Sequence, residues 1–265
     1  MIPKIIHYCW FGEGKLPELA QKCISSWRKY CPDYEIREWN ETNYDYKKNQ
    51  YMKQAYEMKK WGFVPDYARL DIIFQYGGIY LDTDVEIIKP IDELLKLEAF
   101  MGLEVPGVVA LGLGFGASPF NPIIWEMKEV YEDLKFIKAD GDLNTLPSPY
   151  YQSQVLERYG LDKVNQQQNI MGIQIFPTEF FCPKNFKTGK LELTGNTYSI
   201  HHYDASWLDD CQKYALVIRW KISKILPNRV AYIVAIFIAN FKYNGIKTTI
   251  CKIVDYFRRR INEFI

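Results

Sequence analysis

The architecture expected for this 265-residue chain follows from the segment Tyr76-Gly77-Gly78-Ile79-Tyr80-Leu81-Asp82-Thr83-Asp84. Its apolar residues 79–81 are typical of a short buried strand, and the two glycines before them end a helix-like run. Two carboxylates, one residue apart, follow the strand directly. Because ligands bind at the carboxyl ends of strands in α/β sheets, the segment predicts a binding site at Asp82 and Asp84.

Strand-like and helix-like patterns alternate upstream of this segment. We predict strands at residues 5–10 and 34–39 and helices at residues 16–30, 50–61 and 66–76. This alternation predicts an α/β fold with a mostly parallel central sheet. Trp10 and Asn40 end the first two strands as Asp82 ends the third, so we expect the three side chains near one cleft. Farther along, residues 146–151 predict a loop.

Asp82 and Asp84 are candidate ligands of a hard divalent cation. Mn²⁺ and Mg²⁺ prefer oxygen ligands and keep coordination sites for phosphates and water. A cation that bridges two phosphates would neutralise a nucleoside diphosphate as it leaves a sugar. Acidic triplets also occur by chance, so the triplet alone is a weak signal.

A charged pair precedes the triplet on the predicted helix 66–76. Asp66 and Arg69 are three residues apart and therefore share one helix face. An arginine holds a phosphate or sugar hydroxyls in a fork geometry, and an aspartate accepts hydrogen bonds from sugar hydroxyls. The alternative is a local salt bridge on a solvated helix.

Taken together, these motifs resemble the DXD-motif sugar transferases. That family includes bacterial capsular polysaccharide and lipopolysaccharide glycosyltransferases, yeast initiating α-mannosyltransferases and, more distantly, clostridial glucosylating toxins. The segments that carry the resemblance are residues 2–12, 66–69, 76–84, 176–181 and 200–207. The resemblance is strong from residue 2 to about residue 90 and thinner afterwards.

The resemblance implies a GT-A-like nucleotide-sugar-binding fold, which we assign to residues 1–212. It implies a retaining transferase that uses Mn²⁺ or Mg²⁺ and a UDP-sugar donor. A hexose or N-acetylhexosamine would pass to a saccharide acceptor in bacterial surface polysaccharide synthesis. Asp82, Asp84 and Arg69 would be the catalytic residues, and stabilisation of the leaving group would suffice without a catalytic base.

The resemblance also assigns ligand contacts. Trp10 would stack on the nucleotide base, and Asp66 and Arg69 would bind hydroxyls of the donor sugar. Asp82 would contact ribose, sugar or metal-bound water, whereas Asp84 would ligate the metal directly.

Further contacts come from the end of the matching region. His201 would be a metal or diphosphate ligand, and Ser206 and Trp207 would close over the diphosphate. Neighbouring residues of a strand point to opposite faces, so only one of His201 and His202 can face the cleft, and we expect His201. Asn40, as a donor contact, rests on its strand-end position alone.

The end of the chain has a different charge from the rest. Residues 213–265 hold 11 basic and two acidic residues, a net charge of +9, whereas the remainder holds 22 basic and 30 acidic residues, a net charge of −8. Basic amphipathic helices bind anionic membrane surfaces. We expect a helical extension that acts as a peripheral membrane anchor and brings the enzyme to a lipid-linked acceptor. The alternative is a pair of helices packed on the catalytic domain.

Location and partners follow from the same patterns. The six cysteines form no CxxC pair, and the first residues show no signal-peptide pattern. The longest apolar stretch, residues 230–241, is about half of the roughly 20 residues that span a bilayer. We therefore expect a cytoplasmic protein that is peripheral on the inner face of the plasma membrane. No nucleic-acid-binding module is recognisable.

Two other functions fit parts of the sequence. A haloacid-dehalogenase-like phosphohydrolase would use Asp82 as its nucleophile in the pattern Asp82-Thr83-Asp84-Val85. That hypothesis leaves Trp10 and the Asp66–Arg69 pair unexplained. A non-catalytic carbohydrate-binding domain is the second alternative, and the intact acidic triplet argues against it.

Overall fold

The computed structural model describes residues 1–205 and 208–262, with residues 246–262 described by their backbone alone. The chain forms two compact units. The first comprises Met1–Lys184 and Glu192–Asp204, and the second, the helical unit, comprises Asn185–Leu191 and Ala205–Ile265.

The first unit is built on one large sheet and one two-stranded ribbon. The strands of the large sheet are β1 (Ile5–Cys9), β2 (Glu35–Trp39), β3 (Gly78–Tyr80), β5 (Ala99–Val105), β6 (Val108–Val109), β7 (Phe115–Ala117), β8 (Gln168–Ile170) and β9 (Ile173–Phe176). The ribbon pairs β4 (Val85–Ile87) with β10 (Ser199–His201) in antiparallel register.

The large sheet has the strand order β2-β1-β3-β7-β5-β9-β8, with β6 paired to β5. Strands β1, β2, β3, β5 and β9 point the same way, whereas β7, β8 and β6 run antiparallel to their neighbours. The predicted α/β fold with a mostly parallel central sheet is therefore confirmed. The antiparallel strand β7 lies inside the sheet, between β3 and β5.

The helices are α1 (Glu18–Tyr30), α2 (Gln50–Glu57), α3 (Pro65–Tyr76), α4 (Pro122–Glu129), α5 (Ser148–Glu157), α6 (Thr178–Phe181), α7 (Asp210–Ile222) and α8 (Asn228–Asn262). The first three confirm the predicted helices, although α2 ends earlier than expected. The prediction of a loop at residues 146–151 is wrong, because α5 begins at Ser148. Pro149 stands in its first turn, where the missing N–H of a proline costs no helical hydrogen bond.

Helix α3 is held in the first unit by a buried carboxylate. Asp71 accepts hydrogen bonds from the Tyr44 hydroxyl at 2.9 Å and the Gln75 amide at 2.8 Å, and it pairs with the Lys48 ammonium. The ammonium of Lys128, which follows in α4, lies 3.7 Å from the same carboxylate. A buried charge is tolerated only when it is paired and hydrogen-bonded, so this network fixes the position of α3.

The helical unit contains α7, α8 and the short segment 185–191. Helix α7 begins with a capping box formed by Asp209 and Gln212, and Gly245 interrupts the helical geometry of α8. The Trp220 indole donates a 2.7 Å hydrogen bond to the Phe186 carbonyl, which ties the short segment to α7. The predicted helical extension is thus confirmed. The expected domain boundary at 212/213 falls inside α7, and the division into a catalytic domain and an anchor stays a prediction.

None of the helices in the described part of the chain is long and apolar enough to cross a membrane.

His7 explains why β3 begins with a glycine. The Trp39 indole donates to His7 Nδ1 at 3.0 Å, so Nε2 carries the proton and donates to the Gly77 carbonyl at 3.0 Å. A side chain at Gly78 would lie 2.9 Å from His7 Nε2, and the backbone there has a positive φ of 95°. Glycine meets both conditions, which lets β3 pair closely with β1.

The neutral state of His7 predicts a pH-dependent stability. Burial lowers the pKa of His7 to about 4, below the value near 6.5 of an unfolded chain. The stabilisation is therefore complete above about pH 6.5 and is lost as the pH falls to 4, by about 3 kcal/mol in all. Urea unfolding between pH 7 and 4 should show this loss in the natural chain. The part of the loss that comes from protonation of Glu and Asp residues should persist in His7→Gln. The same change of the free energy of unfolding with pH in both chains would contradict the neutral state of His7.

Candidate functional site

Asp82 and Asp84 lie in the turn that joins β3 to β4. The Leu81 N–H still donates to the His7 carbonyl of β1 at 3.1 Å, and the Asp82 N–H then donates to the Gly112 carbonyl at 3.3 Å. The Val85 N–H bonds back to the Asp82 carbonyl at 3.0 Å and closes the turn. The strand end predicted from the sequence therefore delivers both carboxylates to one place.

The ribbon brings His201 to the same place. Its register sets His201 opposite Val85, and His201 Nε2 lies 3.2 Å from Asp84 Oδ1. The backbone N–H of Asp204 donates to Asp84 Oδ2 at 2.8 Å. Asp84 is thus held from two sides by the segment 201–204.

His202 points the other way. Its Nε2 lies 2.7 Å from Glu86 Oε2, and its backbone N–H donates to the Asp84 carbonyl at 3.0 Å. This alternation is what a strand dictates. The structure therefore places His201, and not His202, beside the carboxylates.

Asp82, Asp84 and His201 form a group that fits a divalent cation. Each offers one ligand atom, and these atoms lie within 4.8 Å of one another. His201 Nδ1 is buried and has no hydrogen-bond partner among the described residues. Carboxylate oxygens and an imidazole nitrogen are donors suited to Mn²⁺.

The electrostatics of the group favour an anionic Asp84. Burial by itself would raise the pKa of Asp84, but the His201 imidazole and the Asp204 N–H hold that pKa down to about 2. Burial raises the pKa of Asp82, and the nearby charge of Arg69 opposes this shift. Asp84 is therefore ionised at neutral pH, as a metal ligand must be.

Asp66 and Arg69 lie on α3, and Arg69 contacts Asp82. Arg69 Nη2 donates to Asp66 Oδ1 at 2.9 Å, and Arg69 Nη1 lies 3.7 Å from Asp82 Oδ2. Both side chains of the Asp66–Arg69 pair are only 5% exposed, so the pair forms the expected local salt bridge but does not lie on a solvated helix face. Burial raises the pKa of Asp66 to about 6, against the effect of Arg69.

Trp10 and Asn40, two of the remaining predicted residues, have their hydrogen-bond partners in their own loops. Trp10 follows β1, and its indole N–H donates to the Gly14 carbonyl at 2.6 Å. The Asn40 side chain accepts from the Thr42 N–H at 2.9 Å and donates to Glu38 at 2.7 Å, so it holds its own turn. Ser206 and Trp207 lie outside the described residues. The donor contacts assigned to these four residues stay predictions.

Two residues of the site have no motif of their own in the sequence. A side chain at Gly112 would place its Cβ 2.2 Å from Asp82 Oδ2 and 3.2 Å from Arg69 Nη1, so only glycine leaves room for both groups. Lys184 donates to the His202 carbonyl at 2.7 Å, next to the metal-binding candidates. In the sequence, the glycine-rich run at residues 112–116 is the one signal that indicates Gly112.

Comparison with known proteins finds sequence similarity to sugar transferases over part of the chain. Residues 17–101 match the family described as "Glycosyltransferase sugar-binding region containing DXD motif". Inositol phosphoceramide mannosyltransferase 1 of Schizosaccharomyces pombe is 28% identical over 139 residues, which are 47% of this chain and 41% of that protein. The human alpha-1,4-N-acetylglucosaminyltransferase is 44% identical over 64 residues, which are 24% of this chain and 17% of that protein.

Among solved structures, the PaToxG glycosyltransferase is similar with a TM-score of 0.47 and 17% identity, over 59% of this chain and 68% of that one. The predicted resemblance to the DXD-motif sugar transferases is confirmed. The chain spans less than half the length of these curated relatives, so their substrates are not carried over to it.

The tight packing at Gly112 generates a prediction. A methyl group in Gly112→Ala would displace the Asp82 carboxylate, so we expect Mn²⁺ affinity to fall about tenfold or more. Titration calorimetry with Mn²⁺ measures the effect. Gly195→Ala is the matched control, because nothing lies within 4 Å of the added Cβ. Equal Mn²⁺ affinities in the two variants would contradict the placement of Asp82 in the site.

Proposed function

We propose that this chain is a metal-dependent, retaining glycosyltransferase that moves a hexose or N-acetylhexosamine from a UDP-sugar to a saccharide acceptor. The supporting observation is the convergence of Asp82, Asp84 and His201 beside the buried Arg69. Three of these four residues lie inside the segment that matches a glycosyltransferase sugar-binding family. The proposal places the protein in bacterial surface polysaccharide synthesis.

Asp82, Asp84 and His201 would hold Mn²⁺ or Mg²⁺, which when bound neutralises charge on the departing UDP. The low pKa of Asp84 keeps one strong anionic ligand available. The buried His201 imidazole is fixed by Asp84 and by the Tyr203 ring, whose centroid lies 4.3 Å from that of His201. The ligand atoms are thus preorganised by the protein.

Arg69 and Asp66 would orient the donor sugar. The Arg69 guanidinium is fixed between Asp66 and Asp82 and lies over the Tyr80 ring, 5.2 Å from its centroid. A fixed fork of N–H donors favours one orientation of an oxygen-rich ligand. The acceptor hydroxyl would attack from the side of the leaving group, and we assign no protein nucleophile.

The two alternatives are less well supported. A phosphohydrolase that uses Asp82 as nucleophile leaves the buried Asp66–Arg69 pair without a role. A carbohydrate-binding module does not require a buried carboxylate with a pKa of about 2. The comparisons with known proteins likewise favour a transferase.

A peripheral association with an anionic membrane, on its cytoplasmic face, is the second part of the proposal. Residues 211–254 contain eight basic residues and no acidic residue. Four apolar side chains of α8 that share one helix face are exposed by 36% to 53%: Val230, Ile233, Phe237 and Phe241. An apolar stripe flanked by cations is the pattern that inserts into the headgroup region of anionic membranes. A lipid-linked acceptor would be reached there.

The metal-dependent step gives a direct test. Asp84→Ala removes the strongest anionic ligand, so we expect it to abolish Mn²⁺-dependent binding and hydrolysis of UDP-sugars. Asp204→Ala should retain both, since Asp204 holds Asp84 through its backbone N–H. Calorimetry and a screen of UDP-sugars for metal-dependent hydrolysis provide the readouts. Undiminished turnover in excess chelator would refute the proposal, and tight binding without hydrolysis or transfer would favour the binding module.

Liposome flotation tests the membrane interaction. The natural chain should float with vesicles that contain anionic lipid, and a chain without residues 213–265 should not. Phe237→Glu with Phe241→Glu disrupts the exposed stripe in the full-length chain and should also abolish flotation. Phe120→Glu is the control, because Phe120 is a 69% exposed aromatic residue of the first unit. Flotation that is the same in all four chains would refute the anchor.

A further inference from the structure

Lys184 is the last residue of one segment of the first unit, and it contacts the backbone next to the candidate metal ligand His201. Its half-buried ammonium donates a 2.7 Å hydrogen bond to the carbonyl of His202, the residue after the metal-ligand candidate His201. Burial lowers the pKa of Lys184, and the charge of Asp84 opposes that shift. The hydrogen bond holds the ammonium at the residue that follows His201.

The charges of the site leave a bound diphosphate without sufficient compensation. Asp66, Asp82 and Asp84 supply three negative charges, and Arg69 together with a divalent cation supplies three positive ones. The guanidinium of Arg69 is already held between two carboxylates. A nucleoside diphosphate brings further negative charge into a poorly solvated site, where the interaction of charges is stronger than in water.

We propose that the Lys184 ammonium binds the diphosphate of the donor and stabilises the nucleoside diphosphate as it leaves. This inference rests on the proposed function. An ammonium is a compact charge with three N–H donors, and lysine binds phosphates as a point charge. The hydrogen bond to the His202 carbonyl fixes this charge next to the strand that carries His201.

Two other lysines near the ribbon, Lys22 and Lys89, point away from the candidate site. Lys22 pairs with Glu86 at 2.8 Å, on the side of the ribbon that His202 faces. Lys89 donates to the Gly195 carbonyl at 2.8 Å and lies over the Tyr198 ring. Since Tyr198 precedes β10 and His201 ends it, Lys89 belongs to the opposite end of the ribbon.

Lys89 therefore provides a matched control. Like Lys184, it donates to a backbone carbonyl, and burial lowers the pKa of its side chain. Lys184→Met should weaken UDP binding in the presence of Mn²⁺ by about tenfold or more, the worth of one charge-assisted hydrogen bond. Lys89→Met should change it less than about twofold, and Lys184→Arg should recover most of the affinity. Titration calorimetry on the full chain measures all three.

Titration with Mn²⁺ alone separates this role from a structural one. Removal of a positive charge near Asp84 should leave Mn²⁺ affinity unchanged or increase it, whereas a distorted site would bind Mn²⁺ more weakly. The inference is overturned if Lys184→Met binds UDP in the presence of Mn²⁺ as tightly as the natural chain does. It is also overturned if the variant's affinity for Mn²⁺ alone falls as much as its affinity for UDP. A natural chain that binds Mn²⁺ but no UDP overturns the proposed function as well.

Discussion

The contact between His201 and Asp84 is the constraint on which the candidate site depends. It joins the turn after β3 to a strand far along the chain, and the pairing of β4 with β10 keeps the two side chains 3.2 Å apart. The backbone N–H of Asp204 holds the second oxygen of Asp84. Two directional contacts to one carboxylate fix its orientation, which a weakly held surface aspartate would not have.

Buried charge is the second theme of the structure. Asp66, Arg69 and Asp71 all lie on α3 and are almost completely buried, and each is paired with an opposite charge. Pairing of this kind offsets the desolvation of the charges but contributes little net stability. Its consequence is positional, because α3 cannot shift without breaking several paired charges. Arg69 is therefore presented to Asp82 in one orientation.

The sequence predicted those parts of the structure that depend on local patterns. Alternating strand and helix patterns predicted the sheet, and the end of the third strand predicted the position of Asp82 and Asp84. The alternation of side chains along a strand predicted that His201, and not His202, lies beside them. It did not predict contacts that arise through space. The need for a glycine at position 112 and the position of Lys184 depend on segments that meet only in the folded chain. The start of α5 was missed because Pro147 and Pro149 resemble a loop, whereas a proline in the first turn is compatible with a helix.

The proposed function requires a divalent cation bound between Asp82, Asp84 and His201. Its most direct test is a crystal of the full chain grown with Mn²⁺ and UDP, with diffraction measured at the manganese absorption edge. We expect an anomalous peak in contact with these three side chains and with the diphosphate. A manganese peak elsewhere on the protein, with none at these three residues, would contradict it.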